Sequence, residues 1–194
     1  MVIEFPFATS VMRAGDNRPV DAQIVRLDTS MARKAILEGW WSGIARGVTE
    51  EYPDREWNWP HWVEQRYRKL RRYECVALTV DSVVEGAMIL KLDATSVLDE
   101  GCGAVLIELV AAAPGNRCSQ ANPRRYTGVG KKLVEFAVWR SVSLGLKGRV
   151  VGIPITGSIK FNETCGFRKT DVKCDEGEFF ELPTTAVDGL LGRN

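Results

Sequence analysis

Several residue types that catalytic and metal sites often use are scarce in this chain. It contains one histidine, His61, so Ser-His-Asp or Cys-His catalysis would have to pass through that residue. His61 lies between Pro60 and Trp62 in an aromatic segment, where a structural or surface role is expected. The five cysteines are odd in number and include no Cys-x-x-Cys pair. This pattern argues against a zinc site or disulfide framework and favours a reducing compartment.

The chain also lacks a strong net charge and any apolar run long enough to span a membrane. Its net charge of +1 predicts no general attraction to nucleic acid, although a predicted helix at 61–72 has a basic side. The N-terminal residues MVIEFPFATSV do not have the basic-then-apolar layout of a signal peptide. We therefore expect a cytoplasmic protein with neither a nucleic-acid nor a membrane partner.

Length and periodicity predict one α+β domain, residues 23–194, preceded by an N-terminal arm, residues 1–22. Ile36, Trp40 and Ile44 recur every four residues and predict a helix over 31–46. Alternating or continuous apolar stretches predict strands. Between the later strands, two further stretches have helical spacing. The expected strands are 2–7, 23–27, 74–80, 83–92, 105–113, 148–154, 167–174 and 178–182, and the expected later helices are 131–145 and 156–166.

A glycine-bearing turn, Arg125–Gly130, separates a strand-like segment from a helix-like one. The upstream segment, Val105–Pro114, is apolar, and the downstream segment, Lys131–Gly145, has helical spacing and ends in glycine. Backbone N–H groups at a helix start have no partner within the helix and converge on anions, while glycine lets a phosphate approach closely. The turn therefore predicts a phosphate or pyrophosphate site.

Three landmarks in order resemble the GNAT superfamily of acyl-CoA-dependent N-acyltransferases. They are Ala112-Ala113-Pro114 at a strand end, the Arg-x-x-Gly-x-Gly turn at Arg125–Gly130, and a short helix with a Gly-Phe pair at Phe161–Phe167. The resemblance implies a single-domain GNAT-like α+β fold. Its central mixed, mostly antiparallel sheet would splay at the cofactor site and be flanked by helices.

The same resemblance implies acetyl-CoA as co-substrate and no metal. The backbone of a splayed strand would bind the pantetheine arm, and the turn would bind the pyrophosphate. Small side chains on that strand also suit a tightly packed core. The implied cofactor-binding residues are Val110, Ala111 and Ala112 on the strand, then Arg125, Tyr126, Thr127, Gly128, Val129, Gly130 and Lys131 in the turn.

Two departures from the family pattern affect the site. Residues 115–124 are inserted between the strand and the turn, where the family usually has two residues. Many members carry a tyrosine after the phenylalanine of the last short helix, placed to protonate the departing thiolate, but this chain has Asn162. An amide can donate a hydrogen bond but is not an acid at neutral pH.

Glu108 is the candidate general base. It lies four residues before Ala112 and therefore on the same face of the strand. Some family members, including spermidine/spermine acetyltransferases, have a glutamate at the matching position. A glutamate facing solvent or paired with a neighbouring arginine explains Glu108 equally well. Other carboxylates, such as Glu85, are weaker candidates.

The expected function is transfer of an acetyl or short acyl group to a primary amine on a small molecule or peptide, by direct attack in a ternary complex. The alternative is a non-catalytic CoA-binding module, which Asn162 and the insertion favour. Dimers are common in the family, so a homodimer is compatible with the resemblance.

Overall fold

The computed structural model describes residues 4–41, 53–69, 71–117 and 123–193. These residues form two compact units. The first unit takes in the described residues of Glu4–Ile89 and Val110–Leu133. The second unit takes in Leu90–Leu109 and the described residues of Val134–Asn194. Predicted features at 42–52, including the end of the helix predicted over 31–46, lie outside the described residues.

Both units contain paired strands. Strand β1 pairs antiparallel with β2 and β6, β2 with β3, and β9 with β7 and β8, whereas β5 and β7 are parallel. In the first unit the order is β6-β1-β2-β3-β4, and in the second it is β4-β5-β7-β9-β8. The strands are β1 Phe7–Arg13, β2 Pro19–Arg26, β3 Tyr73–Val80, β4 Val83–Thr95, β5 Gly103–Ala112, β6 Tyr126–Thr127, β7 Val150–Gly152, β8 Arg168–Cys174 and β9 Gly177–Leu182.

The first two helices begin at side chains that accept hydrogen bonds from free backbone amides. Asp28 accepts a hydrogen bond from the Met31 amide at 2.8 Å and caps α1, a short α-helical turn (Thr29–Met31) that continues as a π-helix (Ala32–Trp40). Asn58 caps α2 in the same way. The remaining helices are α2 Trp59–Tyr67, α3 Val129–Ser143, α4 Ile159–Thr164 and α5 Val187–Leu190.

The mixed, mostly antiparallel sheet flanked by helices confirms the predicted fold class. Several predicted boundaries need correction, with the largest differences at the first strand and the second helix. The first strand was expected at Val2–Phe7, but β1 begins at Phe7 and pairs with β2 and β6. The second helix was expected to run to Arg72, but α2 ends at Tyr67. No helix among the described residues is long and apolar enough to cross a membrane.

Strand β5 pairs with β7 over only part of its length. The register of β5 with β7 covers Val105–Ile107, whereas β5 itself continues to Ala112. From Leu106 to Ala112 the half-buried and buried residues alternate, and Glu108 and Ala112 are both half-buried. This alternation is the pattern expected of a strand, and the sharing of one face by Glu108 and Ala112 stays a prediction.

Gly86 allows α3 to start close to β4. A Cβ at this position would lie 2.7 Å from Val129 Cγ1, 3.0 Å from Leu133 Cδ1 and 3.3 Å from the Ala111 carbonyl oxygen. All four residues belong to the first unit. The absence of a side chain at Gly86 therefore sets where the first turn of α3 packs.

We expect Gly86→Ala to lower the free energy of unfolding by about 1–3 kcal/mol, because the branched Val129 side chain has little freedom to move aside. Urea unfolding followed by circular dichroism measures this change. Gly15→Ala is the matched control, since a Cβ at Gly15 would meet nothing within 4 Å. Equal midpoints for the two variants would contradict the packing argument.

Candidate functional site

The turn before α3 has the geometry of an anion site. Gly128 has φ +87°, a left-handed conformation that glycine adopts without strain. The first hydrogen bond at the start of α3 runs from the Lys132 amide to the Gly128 carbonyl at 2.9 Å. The amides of Val129, Gly130 and Lys131 therefore have no acceptor within the helix. With the dipole of a 15-residue helix behind them, they form an arrangement suited to a phosphate group.

Asn116 holds the strand that leads into this turn. Its Oδ1 accepts a hydrogen bond from the Tyr126 amide at 3.1 Å. Its Nδ2 donates to Glu85 twice, to the carboxylate Oε2 at 2.6 Å and to the backbone carbonyl at 3.1 Å. Asn116 and Glu85 are both buried. The predicted pyrophosphate donors therefore differ in availability, because the Tyr126 amide is already engaged.

Arg125 is anchored beside the same carboxylate. Its Nη2 lies 2.9 Å from Glu85 Oε2, and its backbone amide donates to the Gly115 carbonyl at 2.8 Å. A Cβ on Gly115 would lie 2.9 Å from Arg125 Nε, so the missing side chain leaves room for the guanidinium group. The Arg125 side chain is about half exposed and Glu85 is covered. Arg125, predicted to add charge for a phosphate, thus also neutralises a buried carboxylate.

The Glu85 carboxylate has an unusual environment for a strand residue. Burial raises the pKa of this carboxyl above its ordinary value of 4.5, while the hydrogen bond from Asn116 and the charge of Arg125 oppose the rise. A perturbed carboxyl beside a predicted binding turn is a candidate functional group. Its two partners show that it also has a structural role.

Arg117 connects the inserted segment to another part of the first unit. Its two terminal nitrogens bind both carboxylate oxygens of the buried Asp54. Its Nε donates to the Ala112 carbonyl oxygen at 2.7 Å. The guanidinium also lies over the Trp41 ring, 5.8 Å from the ring centroid. The carbonyl of Ala112, predicted to contact pantetheine, therefore has a partner already.

A cleft of about 330 Å³ lies within the first unit. The π-helix Ala32–Trp40 forms one wall, the turn between β3 and β4 with the start of β4 a second, and residues 113–115 a third. Trp40 and Val84 contribute apolar surface, and Arg125 contributes the charged group. Trp40 Nε1 donates to the Val84 carbonyl at 2.9 Å, which fixes the indole in the cleft wall. A pocket with apolar walls and few polar groups is typical of small-molecule sites.

The structure distributes the predicted site residues over both units. Val110, Ala111 and Ala112 and the turn from Arg125 to Lys131 belong to the first unit. The candidate base Glu108 and the candidate donor Asn162 belong to the second. Asn162 Nδ2 donates to the Ser158 carbonyl at 2.9 Å, within its own helical turn. The catalytic roles of Glu108 and Asn162 stay predictions.

Four residues that bond around the turn and the insertion, Glu85, Asn116, Arg117 and Asp54, were missed or ranked low from the sequence. Glu85 carried a usable signal, since it interrupts an apolar strand just as Glu108 does. Asn116 and Arg117 lie in the insertion, and Asp54 lies in a segment without periodicity. Their partners are 31 and 63 residues away along the chain, so local patterns carry no trace of the contacts. Among the described residues, no cluster of three or more His, Cys, Asp or Glu side chains could hold a metal ion.

No protein-family model matches the chain, and no curated protein matches it in sequence. Solved structures match it in fold. PaiA N-acetyltransferase from Thermoplasma acidophilum, in complex with coenzyme A, is 14% identical, with a TM-score of 0.55 over 82% of this chain and 97% of its own. A protein assigned to the GNAT family from Desulfovibrio desulfuricans is 16% identical, with a TM-score of 0.55 over 84% and 99%. The chain has the GNAT fold.

Another structure with the GNAT fold illustrates the same likeness. Glucosamine-6-phosphate N-acetyltransferase from Arabidopsis thaliana is 18% identical, with a TM-score of 0.52 over 79% of this chain and 96% of its own. Within this GNAT fold the glycine turn precedes α3, in the order that the sequence predicted. The insertion before it leaves the turn in place, because Asn116 and Gly115 bond back to residues 125 and 126.

We expect the Glu85 contribution to the free energy of unfolding to fall as pH rises from 4.5 through the raised pKa of this carboxyl. The reason is that the folded state binds the proton more tightly than the unfolded chain. Urea unfolding across this pH range should show the fall in the parent protein and a shallower one in Glu85→Gln.

Glu178→Gln is the control of opposite sign. Hydrogen bonds from Lys169 and Lys173 lower the pKa of the Glu178 carboxyl. The Glu178 contribution is therefore present above pH 4.5 and is lost as pH falls through the lowered pKa. If Glu85→Gln leaves the pH profile unchanged, the desolvation argument for Glu85 is wrong.

Proposed function

We propose that this protein transfers an acetyl or short acyl group from acetyl-CoA to a primary amine, by direct attack in a ternary complex. The observation that carries the proposal is the start of α3, where Gly128 and the following amides form an anion site inside a GNAT fold. PaiA N-acetyltransferase, which shares that fold, is solved with coenzyme A, and a variant of the toxin AtaT is solved with acetyl-CoA. The residues present fit a pyrophosphate at the turn.

In this proposal the amides of Val129, Gly130 and Lys131 bind the pyrophosphate of acetyl-CoA, helped by the helix dipole. Val110 and Ala112 are half-buried residues of β5 that follow Glu108 in sequence. They lie beyond Ile107, the last residue of β5 that pairs with β7. Backbone groups of that stretch are the proposed contacts of the pantetheine arm. The Ala112 carbonyl would contribute only after Arg117 Nε releases it.

The chemistry requires an uncharged amine. A primary alkylamine with a pKa near ~10.4 is almost wholly protonated at neutral pH, so a base must take its proton. We assign this role to Glu108, directly or through water. The amine nitrogen then attacks the thioester carbonyl carbon, a C–N bond forms, the C–S bond breaks, and the thiolate takes a proton from water or another donor. Asn162 can supply a hydrogen bond but no proton.

The acceptor class is proposed as a small-molecule or peptide amine. Glucosamine-6-phosphate N-acetyltransferase, named for an amino sugar, shares the fold. The cleft beside Trp40 and Arg125, at about 330 Å³, has room for part of such a molecule. The proposed setting is the cytoplasm, without a membrane or nucleic-acid partner. A homodimer is compatible with the proposal.

A second candidate function is CoA binding without transfer. Asn162 favours it, because its position in many GNAT enzymes holds the tyrosine that protonates the thiolate. The Asn162 amide is also partly committed to the Ser158 carbonyl. Under this alternative the anion site at α3 is retained, and an amine acceptor gains no acetyl group.

A thiol-release assay with acetyl-CoA against a diverse amine library separates the two functions. For the enzyme we expect CoA to raise the melting temperature at millimolar concentration and at least one amine to release thiol. We expect Glu108→Gln to lower turnover by about 10²- to 10⁴-fold, which is the usual contribution of a general base. Glu163→Gln, which removes an exposed carboxylate from α4, is the matched control.

The results distinguish three outcomes. Thermal stabilisation by CoA without thiol release indicates the binding module. Unchanged turnover in Glu108→Gln removes Glu108 as the base but leaves the enzyme in place. Absence of any CoA effect on the parent protein would sink both functions.

A further inference from the structure

We propose that Asn116 and Glu85 are positioning residues that hold the phosphate-binding turn in the geometry that accepts the pyrophosphate of CoA. The inference rests on the proposed function and deepens it. It assigns a role to the first residues of the insertion. All residues in the argument belong to the first unit.

The Asn116 side chain uses both ends of its amide. Its oxygen accepts from the Tyr126 backbone N–H, and its nitrogen donates to the carboxylate and the backbone carbonyl of Glu85. The side chain is 8% exposed, so water cannot readily replace these bonds. If the amide were rotated by 180°, its NH₂ group would face the Tyr126 N–H, and two donors would oppose each other. The contacts therefore fix a single orientation of Asn116.

Glu85 provides the fixed point of the network. It lies on β4 and is 1% exposed. Its backbone carbonyl accepts from the Ala113 amide at 2.8 Å as well as from Asn116. Its carboxylate accepts from Asn116 and pairs with Arg125. One strand residue therefore contacts both ends of the inserted segment.

The network controls the position of the turn because of where it attaches. Tyr126 pairs with Arg13 of β1 across the ladder, and its amide bonds to Asn116. The chain is thus held by a strand and by a side chain two residues before Gly128. Anion binding by backbone amides depends on their being oriented before the ligand arrives. Release of Tyr126 would let the amides from Val129 onward lose their common direction.

Binding of two ligands tests the proposal. CoA carries the pyrophosphate, and pantetheine has the same thiol arm without it. In the parent protein we expect CoA to bind more tightly than pantetheine. In Asn116→Ala we expect CoA affinity to fall about 10-fold, while pantetheine affinity stays within about 2-fold, because only the pyrophosphate contacts depend on the turn. Isothermal titration calorimetry measures both.

Two further variants make the test specific. Glu85→Gln keeps the size of the side chain and one acceptor for Asn116 but removes the charge that pairs with Arg125, so we expect a smaller selective loss of CoA affinity. It also serves if Asn116→Ala does not fold. Glu181→Gln is the control: Glu181 is a 1% exposed carboxylate in the second unit, bonded to Ser96 Oγ at 2.6 Å and to the Leu98 amide at 2.9 Å. Its loss should lower stability without changing the ratio of the two affinities.

The outcomes separate this inference from the function on which it rests. A selective loss of CoA affinity in Asn116→Ala supports it. Equal losses for CoA and pantetheine, or an unchanged affinity for CoA, overturn it while leaving CoA binding intact. Failure of the parent protein to bind CoA overturns the proposed function, and the positioning role with it.

Discussion

The contacts around the anion site depend on one buried carboxylate with two partners, Asn116 and Arg125. Glu85 is inserted into an apolar strand, and an unpaired charge at such a depth would cost several kcal/mol. Asn116 and Arg125 offset that cost by donating to it. Because Asn116 lies at the start of the insertion and Arg125 directly follows its end, satisfying the carboxylate also brings together two points of the chain that are nine residues apart. The contacts of Asn116 and Arg125 with Glu85 therefore stabilise the buried charge and also close the inserted loop.

The sequence predicted those parts of the fold in which the pattern is local. The β3–β4 hairpin, helix α3 and the β8–β9 hairpin follow from alternation, helical spacing and turn residues close to each element. The start of β1 was placed too early, because Val2–Phe7 is as apolar as the strand that follows it and pairing with β2 and β6 decides between them.

In the candidate site, too, the features with a local sequence pattern could be predicted and those that depend on distant residues could not. Glycine spacing identified the turn at Arg125–Gly130, since a positive φ and a helix start leave a signature within six residues. Its support could not be predicted, because Asn116 and Arg117 acquire their roles only when Glu85 and Asp54 arrive from distant segments. A glutamate within an apolar strand was the one sequence signal, and both Glu108 and Glu85 carry it.

The hydrogen bond from the Arg125 amide to the Gly115 carbonyl closes the base of the inserted segment. Because of this hydrogen bond, the turn at Arg125–Gly130 stays next to the end of β5 and leads into α3 despite the insertion. The entropy cost of closing a loop grows only with the logarithm of its length. A change in the number of residues between Arg117 and Pro123 would therefore cost little free energy and would leave the contacts of Asn116 and Arg125 at the anion site in place.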